Sequence, residues 1–379
     1  MNDSQQVVLA HGSGGVMMRA LIEEFFIDAY GSDELRQGND SAILAIPGLV
    51  AGGGVVGAGA VGGGVVGAGA VSGGGAVGVN ATSSDRLAFT TDSFVVTPRF
   101  FPGGDIGRLA VCGTVNDLAT SGAAPLWLSV AFILEEGYPT AELRAVCASM
   151  AKSAQEAGVS IVTGDTKVVP RGAGDGLYVN TSGIAVFAGR RPLFGSDCQP
   201  GDAILLSGSL GDHGMTIISE REGLGFKGSL QSDAAPLNHL VDAVLKAAPG
   251  TRCFRDPTRG GLAATINELA EQSNTRMLIE EAAVMVHAAV HGACEMLGMD
   301  VFQVANEGKM VAVVPAPEAD AALAAMRNNH YGKEAAIIGQ VQVAGPDTDA
   351  GLPRALVRTP FGSTRVLDTL VGEQLPRIC

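Results

Sequence analysis

Residues 90–125 read TTDSFVVTPRFFPGGDIGRLAVCGTVNDLATSGAAP, and their pattern sets the plan of the first half of the chain. The stretch opens as a strand, turns through Pro and Gly, and then places Ile106, Leu109, Val115 and Leu118 at helical spacing. Asp92 and Asp117 fall where these elements meet polar turns. Upstream, Met17, Leu21, Phe25 and Phe26 predict a core-facing helix over Val16 to Tyr30, and Ser41 to Ile46 and Arg86 to Val96 alternate like the strands of a hairpin. Downstream, LWLSVAFIL (126–134) is a strand. Thr140 is expected to cap a helix carrying Leu143, Val146, Cys147, Met150 and Ala154, after which VSIVTG (159–164) and LYVNTSGIAVF (177–187) complete an α+β unit near residue 188.

A turn-rich linker, GRRPLFGSDCQPG (189–201), then leads into a second unit that starts at the strand AILLSG (203–208). Helical patterns near 214–222, 236–248, 259–272, 286–297 and 317–328 alternate with strands near 276–280, 309–314 and 336–343. GEQLPRIC (372–379) has no periodicity and reads as a tail. The expected organisation is therefore an N-terminal domain over 1–188, a C-terminal α+β domain over 189–367 and a mobile tail over 368–379 ending in Cys379. A low-complexity insert at 51–84 interrupts the hairpin. Its first thirty residues, Ala51 to Asn80, contain only Gly, Ala, Val, Ser and Asn, with GGGVVGAGAV repeated at 52–61 and 62–71. Without Leu, Ile or Phe, and with glycines that weaken helices, it reads as a surface loop rather than a membrane span.

A length of 379 residues suits two domains better than one core. The net charge of -14 repels nucleic-acid phosphates and anionic membranes over most of the surface, which leaves small ligands and proteins as partners. The six cysteines, at 112, 147, 198, 253, 294 and 379, form no C-x-x-C pair and suggest neither a disulfide framework nor a zinc site. The start, MNDSQQVVLAHGSGG, lacks the basic and apolar regions of a signal peptide, so a reducing cytoplasm is expected.

Four aspartates stand at element ends: Asp40 in GNDSA, Asp92 in TTDSF, Asp117 in TVNDLATSGAAP and Asp165 in TGDTK. Mg2+ takes hard oxygen ligands and commonly bridges carboxylates to substrate phosphates, so convergence of these loops would suit a nucleotide-metal site. Each alone would be an ordinary turn or cap residue. HGSGG (11–15) offers backbone N–H groups for phosphate through Gly12, Ser13, Gly14 and Gly15, without the Lys of a P-loop. In DPTRGG (256–261), Asp256 reads as the N-cap of a helix whose start could hold an anion beside Arg259. NEGK (306–309) brings Glu307 and Lys309 to the start of a strand, and GDTK places Lys167 just after one. Cys379 is either a dispensable tail thiol or, once deprotonated, a nucleophile or group carrier.

Taken together, HGSGG, the 90–125 stretch, GDTKVV, GDHG, DPTRGG, NEGK and the terminal PRIC closely resemble the HypE family of NiFe-hydrogenase maturation factors. The resemblance covers both domains and the tail, with the insert outside the family pattern. It implies the two-domain α+β fold of aminoimidazole ribonucleotide synthetase, a homodimer through the N-terminal domain, and ATP with Mg2+ in a cleft beside that domain. It also implies a reaction: a HypF-type carbamoyltransferase loads the terminal cysteine, ATP phosphorylates the amide oxygen, and loss of a proton and phosphate leaves a thiocyanate. The cyanide then passes to iron held by a HypC–HypD complex. Carried over by motif, Asp40, Asp92, Asp117 and Asp165 would serve Mg2+ and the phosphates. Asn116, Thr166, Asp256 and Arg259 would join the glycine-rich segment around the nucleotide. Lys167 and Glu307 would face the modified thiol, with Glu307 as base. Related ATPases often pair two acidic residues where this chain has Asn39 and Asp40.

Two other readings stay open at this level. A selenophosphate synthetase-like enzyme would share the fold and the aspartates, yet the first ten residues hold no Cys or Lys of the kind that family uses. A scaffold binding iron through the tail thiol would have one soft ligand and no second nearby in sequence.

Excision of residues 52–80 with the hairpin rejoined is expected to leave the thermal unfolding midpoint and ATP turnover nearly unchanged, because loop length adds little closure entropy. Calorimetry and a phosphate-release assay check this; a large loss of either shows that the insert packs or acts.

Overall fold

The computed structural model describes residues 16–27, 29, 35–45, 86–226, 229–345, 354–369 and 377–379. The segment 11–15, the insert at 51–84 and tail residues 370–376 lie outside the described residues. The first half begins with helix α1 (Val16–Leu21), followed in chain order by β1 (Ala42–Ala45), β2 (Arg86–Phe94), the two-residue strands β3 (Phe100–Phe101) and β4 (Gly104–Asp105), and helix α2 (Ile106–Thr120). Strand β5 (Ala124–Glu135), helix α3 (Thr140–Ala157), β6 (Ser160–Val169) and β7 (Leu177–Val186) complete it. β3 pairs with β4, and the other five strands form one sheet in the order β1-β2-β7-β5-β6. The expected hairpin is present, with Ala42 opposite Phe89 and Ala45 opposite Arg86.

This sheet is covered on one face. Side chains along β7 alternate between buried and half-buried, and the buried set lies under α2, with α3 packed on α2. The helix α2 starts cleanly because the Asp105 carboxylate accepts from the N–H groups of Gly107 and Arg108 at 2.7 and 3.1 Å. Leu109, Val115 and Leu118 on it are fully buried, each stabilising the fold by roughly 1.5–3 kcal/mol. Close approach to the sheet needs Gly183, where a Cβ would stand 2.6 Å from Leu118 Cδ1 and 2.8 Å from Leu128 Cδ2. The opposite face is open, with Trp127 48% exposed and Phe89 and Ile133 also exposed.

The second half contains β8 (Ala203–Leu206), α4 (Asp212–Glu222), α5 (Asn238–Ala247), β9 (Cys253–Arg255), α6 (Gly261–Gln272), β10 (Arg276–Glu280) and α7 (Ala288–Leu297). It continues with β11 (Val311–Val314), α8 (Ala319–Asn328), β12 (Ala336–Gln342), β13 (Ala355–Arg358) and β14 (Thr364–Val366). Its seven strands run in the order β14-β13-β10-β12-β8-β11-β9. AILL of β8 and VAVV of β11 are apolar throughout because both faces of this sheet are covered. Ile204, Leu206, Val311 and Val313 pack with Leu262, Ile266 and Leu269 of α6. Leu205, Ala312 and Val314 pack on the other side with Leu240 and Val244 of α5 and Met326 of α8. The fold is thus α+β, with a one-sided sheet joined to a three-layer unit.

Four local expectations are corrected. The helix expected over Val16 to Tyr30 is α1 only to Leu21 and continues as a π-helix over Ile22–Ile27, and no residue of α1 itself is buried; Arg19 ties it to α6 through Glu271 at 2.6 Å. Thr140 is the first helical residue rather than the cap, which is Pro139. Cys147 is exposed while Val146 and Met150 carry the buried stripe of α3. The last three residues of the expected mobile tail are seated: Ile378 is buried, and residues 377 and 379 hydrogen-bond with residues 97 and 95.

Leu118→Ala is expected to cost about 2–5 kcal/mol in urea unfolding. Gly183→Ala should destabilise the intact protein and cost measurably less in the Leu118→Ala background, since one of its two tightest clashes is then gone.

Candidate active site

Four carboxylates gather where the two units meet. Asp92 comes from β2, Asp117 from the last turn of α2, Asp40 from the segment before β1, and Asp256 from the loop after β9. The Thr90 hydroxyl ties two of these elements together, lying 2.9 Å from the Asp40 carbonyl and 3.2 Å from Asp117 Oδ2. Burial holds Asp92, Asp117 and Asp256 toward the protonated state, with repulsion from neighbouring acids adding to it at Asp117 and Asp256. Burial, then Asp256, Asp92 and Asp40, push Asp117 well above the usual carboxylate range. Burial and then Asp40 raise Asp256 to about 8. Burial raises Asp92 also, against the opposing pull of Arg259. Arg255, itself buried, is the partner of Asp40 and also donates to the Gly38 carbonyl at 3.1 Å.

The DPTRGG loop delivers Asp256 differently from the expected cap. Helix α6 starts at Gly261 with Gly260 as its cap, four residues beyond Asp256. Gly260 and Gly261 have φ of +79° and +61°, and a Cβ on Gly261 would lie 2.6 Å from the Phe302 carbonyl. The turn therefore needs glycine at both positions, and it leaves the Asp256 carboxylate free to join the other aspartates.

The chain terminus enters the same place. Residues 377–379 lie antiparallel to residues 95–97, with the Val95 N–H donating to the Cys379 carbonyl oxygen at 3.0 Å and the Thr97 N–H to the Arg377 carbonyl at 3.2 Å. This carries Cys379 among Arg259, Glu307, Asp92 and Asp117. Burial pushes its thiol up to about 12; Arg259 works against that rise and the three acids add to it. Glu307 is only 3% exposed, its carboxyl is driven well above the ordinary range by burial and by Asp256 and Asp92, and its Oε1 has no hydrogen-bond partner. The Glu307 loop is fixed by its backbone, whose N–H donates to Asp233 Oδ1 at 3.0 Å. Lys309 balances Asp233 at 3.2 Å and approaches Asp212 at 3.9 Å.

Other expected site residues lie elsewhere or serve otherwise. Asp165 and Lys167 pair with each other at 2.6 Å on the exposed edge strand β6, where Thr166 is also exposed; this chain alone does not bring them to the carboxylate group. The Asn116 side chain is fully buried and bound to backbone, donating to Ala235 O at 3.0 Å and accepting from Leu237 N at 2.8 Å. It straps the second unit to α2. Gly12, Ser13, Gly14 and Gly15 lie outside the described residues. Arg255 and Asp233 were not singled out in the sequence. The signal for Arg255 was its place next to DPTRGG; Asp233 lies in a loop without periodicity.

Among the described residues no three His, Cys, Asp or Glu side chains form a closed metal cage. The geometry fits Mg2+ even so, because that ion usually takes one or two carboxylates and completes its shell with water and substrate phosphate. A buried group of acids with raised pKa values is short of positive charge, and a divalent cation supplies it.

Metal-free protein should therefore lose stability as pH rises. A carboxyl whose folded pKa lies above its unfolded value, about 4, favours the fold while protonated and loses that contribution as pH climbs toward the folded value, about 8 for Asp256. Urea unfolding in chelator at pH 5 and pH 8 is expected to show this decline, and Asp256→Asn to flatten it.

Known proteins are similar to this chain over most of its length. The AIR synthase related N-terminal domain matches residues 50–187 and the corresponding C-terminal domain matches residues 199–348. The carbamoyl dehydratase HypE of Cupriavidus necator is 47% identical over 376 residues, covering 99% of this chain and 95% of that protein. HypE in a crystal structure of a HypE–HypF complex superposes with a TM-score of 0.77 at 40% identity, covering 93% of this chain and 100% of that one. HypE crystallised in complex with ATP gives a TM-score of 0.74 at 42% identity, covering 99% and 100%. The chain belongs to the HypE family of AIR synthase related proteins.

Proposed function

We propose that this chain is an ATP-dependent carbamoyl dehydratase that converts a carbamoyl group carried on Cys379 into a thiocyanate, supplying cyanide ligands for the iron of a NiFe hydrogenase. The observation that carries the reading is the seating of the terminal thiol beside Arg259 and the unpartnered Glu307, against the carboxylates that suit a nucleotide-metal site. An amide oxygen leaves poorly and phosphate leaves well, so the nucleotide is needed to activate the oxygen. The balanced sequence is transfer of the γ-phosphoryl group to the thiocarbamate oxygen with loss of an N–H proton, then expulsion of phosphate with loss of the second proton. This leaves sulfur bonded to C≡N.

Glu307 is the base. Once ionised, its carboxylate is a stronger proton acceptor than an ordinary one, and among the described residues Oε1 has no competing donor. Arg259 faces both the thiol and Asp92, where it can hold negative charge that grows on the amide oxygen or on phosphate. Asp92, Asp117 and Asp40 would supply the one or two carboxylates that Mg2+ takes, and Asp256, given to the nucleotide by its motif, belongs with them by position. Bound there, the ion would neutralise phosphate charge. The relatives crystallised with ATP and with HypF support ATP as cosubstrate and a HypF-type carbamoyltransferase as the loading partner. A HypC–HypD-type complex is the proposed cyanide acceptor.

The open sheet face with Phe89, Trp127 and Ile133 is the proposed homodimer surface, since an apolar patch of this kind favours cover by a partner. A second copy packed there is also the route by which exposed Asp165, Thr166 and Lys167 would reach a nucleotide site. Among the described residues no helix is long and apolar enough to cross a membrane, and a cytoplasmic location is proposed.

Peptide mass spectrometry tests the reaction. Loaded wild type should gain one carbamoyl group on the C-terminal peptide and lose one water when ATP is added. Glu307→Gln should keep the loaded form, with dehydration slowed about 10²–10⁴-fold, and Cys379→Ala should accept no group. Modification of another cysteine, or normal cyanide delivery by Cys379→Ala, would sink the reading; a scaffold would show no ATP-dependent loss of water.

Asp92→Asn should remove most Mg2+-dependent ATP turnover from a folded protein, because it deletes a hard anionic ligand with little change in size. Unchanged turnover at limiting Mg2+ would return Asp92 to an ordinary strand-end residue.

A further inference from the structure

The body of the protein holds residues 377–379 mainly by their backbone. The Arg377 carbonyl accepts from Thr97 N–H at 3.2 Å and from Arg221 at 2.9 Å, and the Cys379 carbonyl oxygen accepts from Val95 N–H at 3.0 Å. Between them, the Ile378 carbonyl lies 2.8 Å from Nε2 of His213, a fully buried side chain in the first turn of α4. A carbonyl can only accept, so Nε2 carries the proton. On the other side of the ring, Nδ1 lies 2.8 Å from Ser232 Oγ, which already accepts from Ala234 N–H at 3.1 Å and gives its own proton to the imidazole. Phe101 stands edge-on to the ring at 5.6 Å between centroids. With the tail seated, tautomer and orientation are thus both set.

The contact has one geometric consequence that the other tail bonds lack. The Ile378 carbonyl belongs to the peptide unit that ends at the Cys379 nitrogen, so fixing that oxygen fixes the peptide plane from which the thiol-bearing carbon projects. The strand bonds at 95 and 97 set how far the tail reaches. The imidazole sets which way its last residue faces.

We propose that His213 is a positioning residue for the reaction on Cys379: its Nε2–H holds the Ile378–Cys379 peptide so that the modified sulfur faces Glu307 and Arg259. This rests on the function proposed above, and it adds a residue that touches neither the nucleotide nor the reacting group. Removal of the tail would leave Nε2–H buried without its acceptor, which favours return of the tail after any excursion to a loading partner.

The test uses the full chain with His213→Leu, which removes the donor, and His213→Gln, whose amide nitrogen reaches the place of Nε2. Carboxypeptidase release of Cys379, followed without carbamoyl donor or nucleotide, should be about tenfold faster in His213→Leu, equivalent to ~1.4 kcal/mol, and should return close to the wild-type rate in His213→Gln. In single turnovers of loaded protein, dehydration should slow by a similar factor in His213→Leu with the half-saturating ATP concentration unchanged, and His213→Gln should recover it. Ser232→Ala, which keeps the imidazole but frees its other nitrogen, should release Cys379 about threefold faster and covers the case in which His213→Leu does not fold. Equal release from wild type, His213→Leu and Ser232→Ala would overturn the proposal, as would a change confined to ATP affinity. If wild type never loses water while the release rates still differ as expected, the dehydratase reading fails and the seating role of His213 stands.

Discussion

An excess of buried negative charge at the junction of the two units is the constraint on which the rest of the structure depends. Asp92, Asp117, Asp256 and Glu307 all have carboxyls raised by burial, the last three by neighbouring acids as well, and the cations set against them are few. Arg255 is spent on Asp40, and Arg259 faces Asp92, Glu307 and the terminal thiol together. Such an arrangement opposes folding unless protons or a cation compensate it. It survives because it is built from rigid parts: a strand, the end of a buried helix, and a loop set by two left-handed glycines. Those parts are anchored in cores whose burial outweighs the local repulsion.

The two sheets divide the labour accordingly. The seven-stranded sheet is covered on both faces and gives the Asp256 loop and the Glu307 loop a fixed platform, with Asn116 on α2 bound to the backbone of residues 235 and 237 so that the units hold register. The five-stranded sheet keeps one face bare. An apolar face of this kind favours cover by a partner, and the exposed Asp165–Lys167 pair stands on the edge strand of the same sheet.

Much of this was legible in the sequence where long periodic segments met turn chemistry. The hairpin across the insert, α2, α3 and the buried strands of the second unit all carried a clear period, and the aspartates stood out because they ended such segments. Short elements did not announce themselves: β9, β13 and β14, at three or four residues, are too brief for periodicity to show. Apolar spacing from Met17 to Phe26 reads as one core-facing helix, yet α1 ends at Leu21 with none of its own residues buried and a π-helix follows over Ile22–Ile27. Asp256 was assigned to a cap because Asp before Pro usually is one. The paired glycines moved the helix start four residues on. Partners such as Asp233 and Arg255 become visible only in three dimensions, since a buried charge is recognised by what surrounds it.

Burial also sets the reactivity of the terminal thiol. Seated beside three acids, Cys379 has its pKa pushed up to about 12, so in this position it is a poor nucleophile and would be slow to accept a carbamoyl group. The same burial does no harm to a sulfur already acylated, which has no proton to lose and gains from a dry site in which a phosphorylated intermediate is kept from water. Loading and dehydration therefore favour opposite environments for one atom. A fixed thiol would compromise both steps, whereas a thiol on the last residue of the chain, held largely through backbone hydrogen bonds and one buried imidazole, can be charged in an exposed setting and processed in this one.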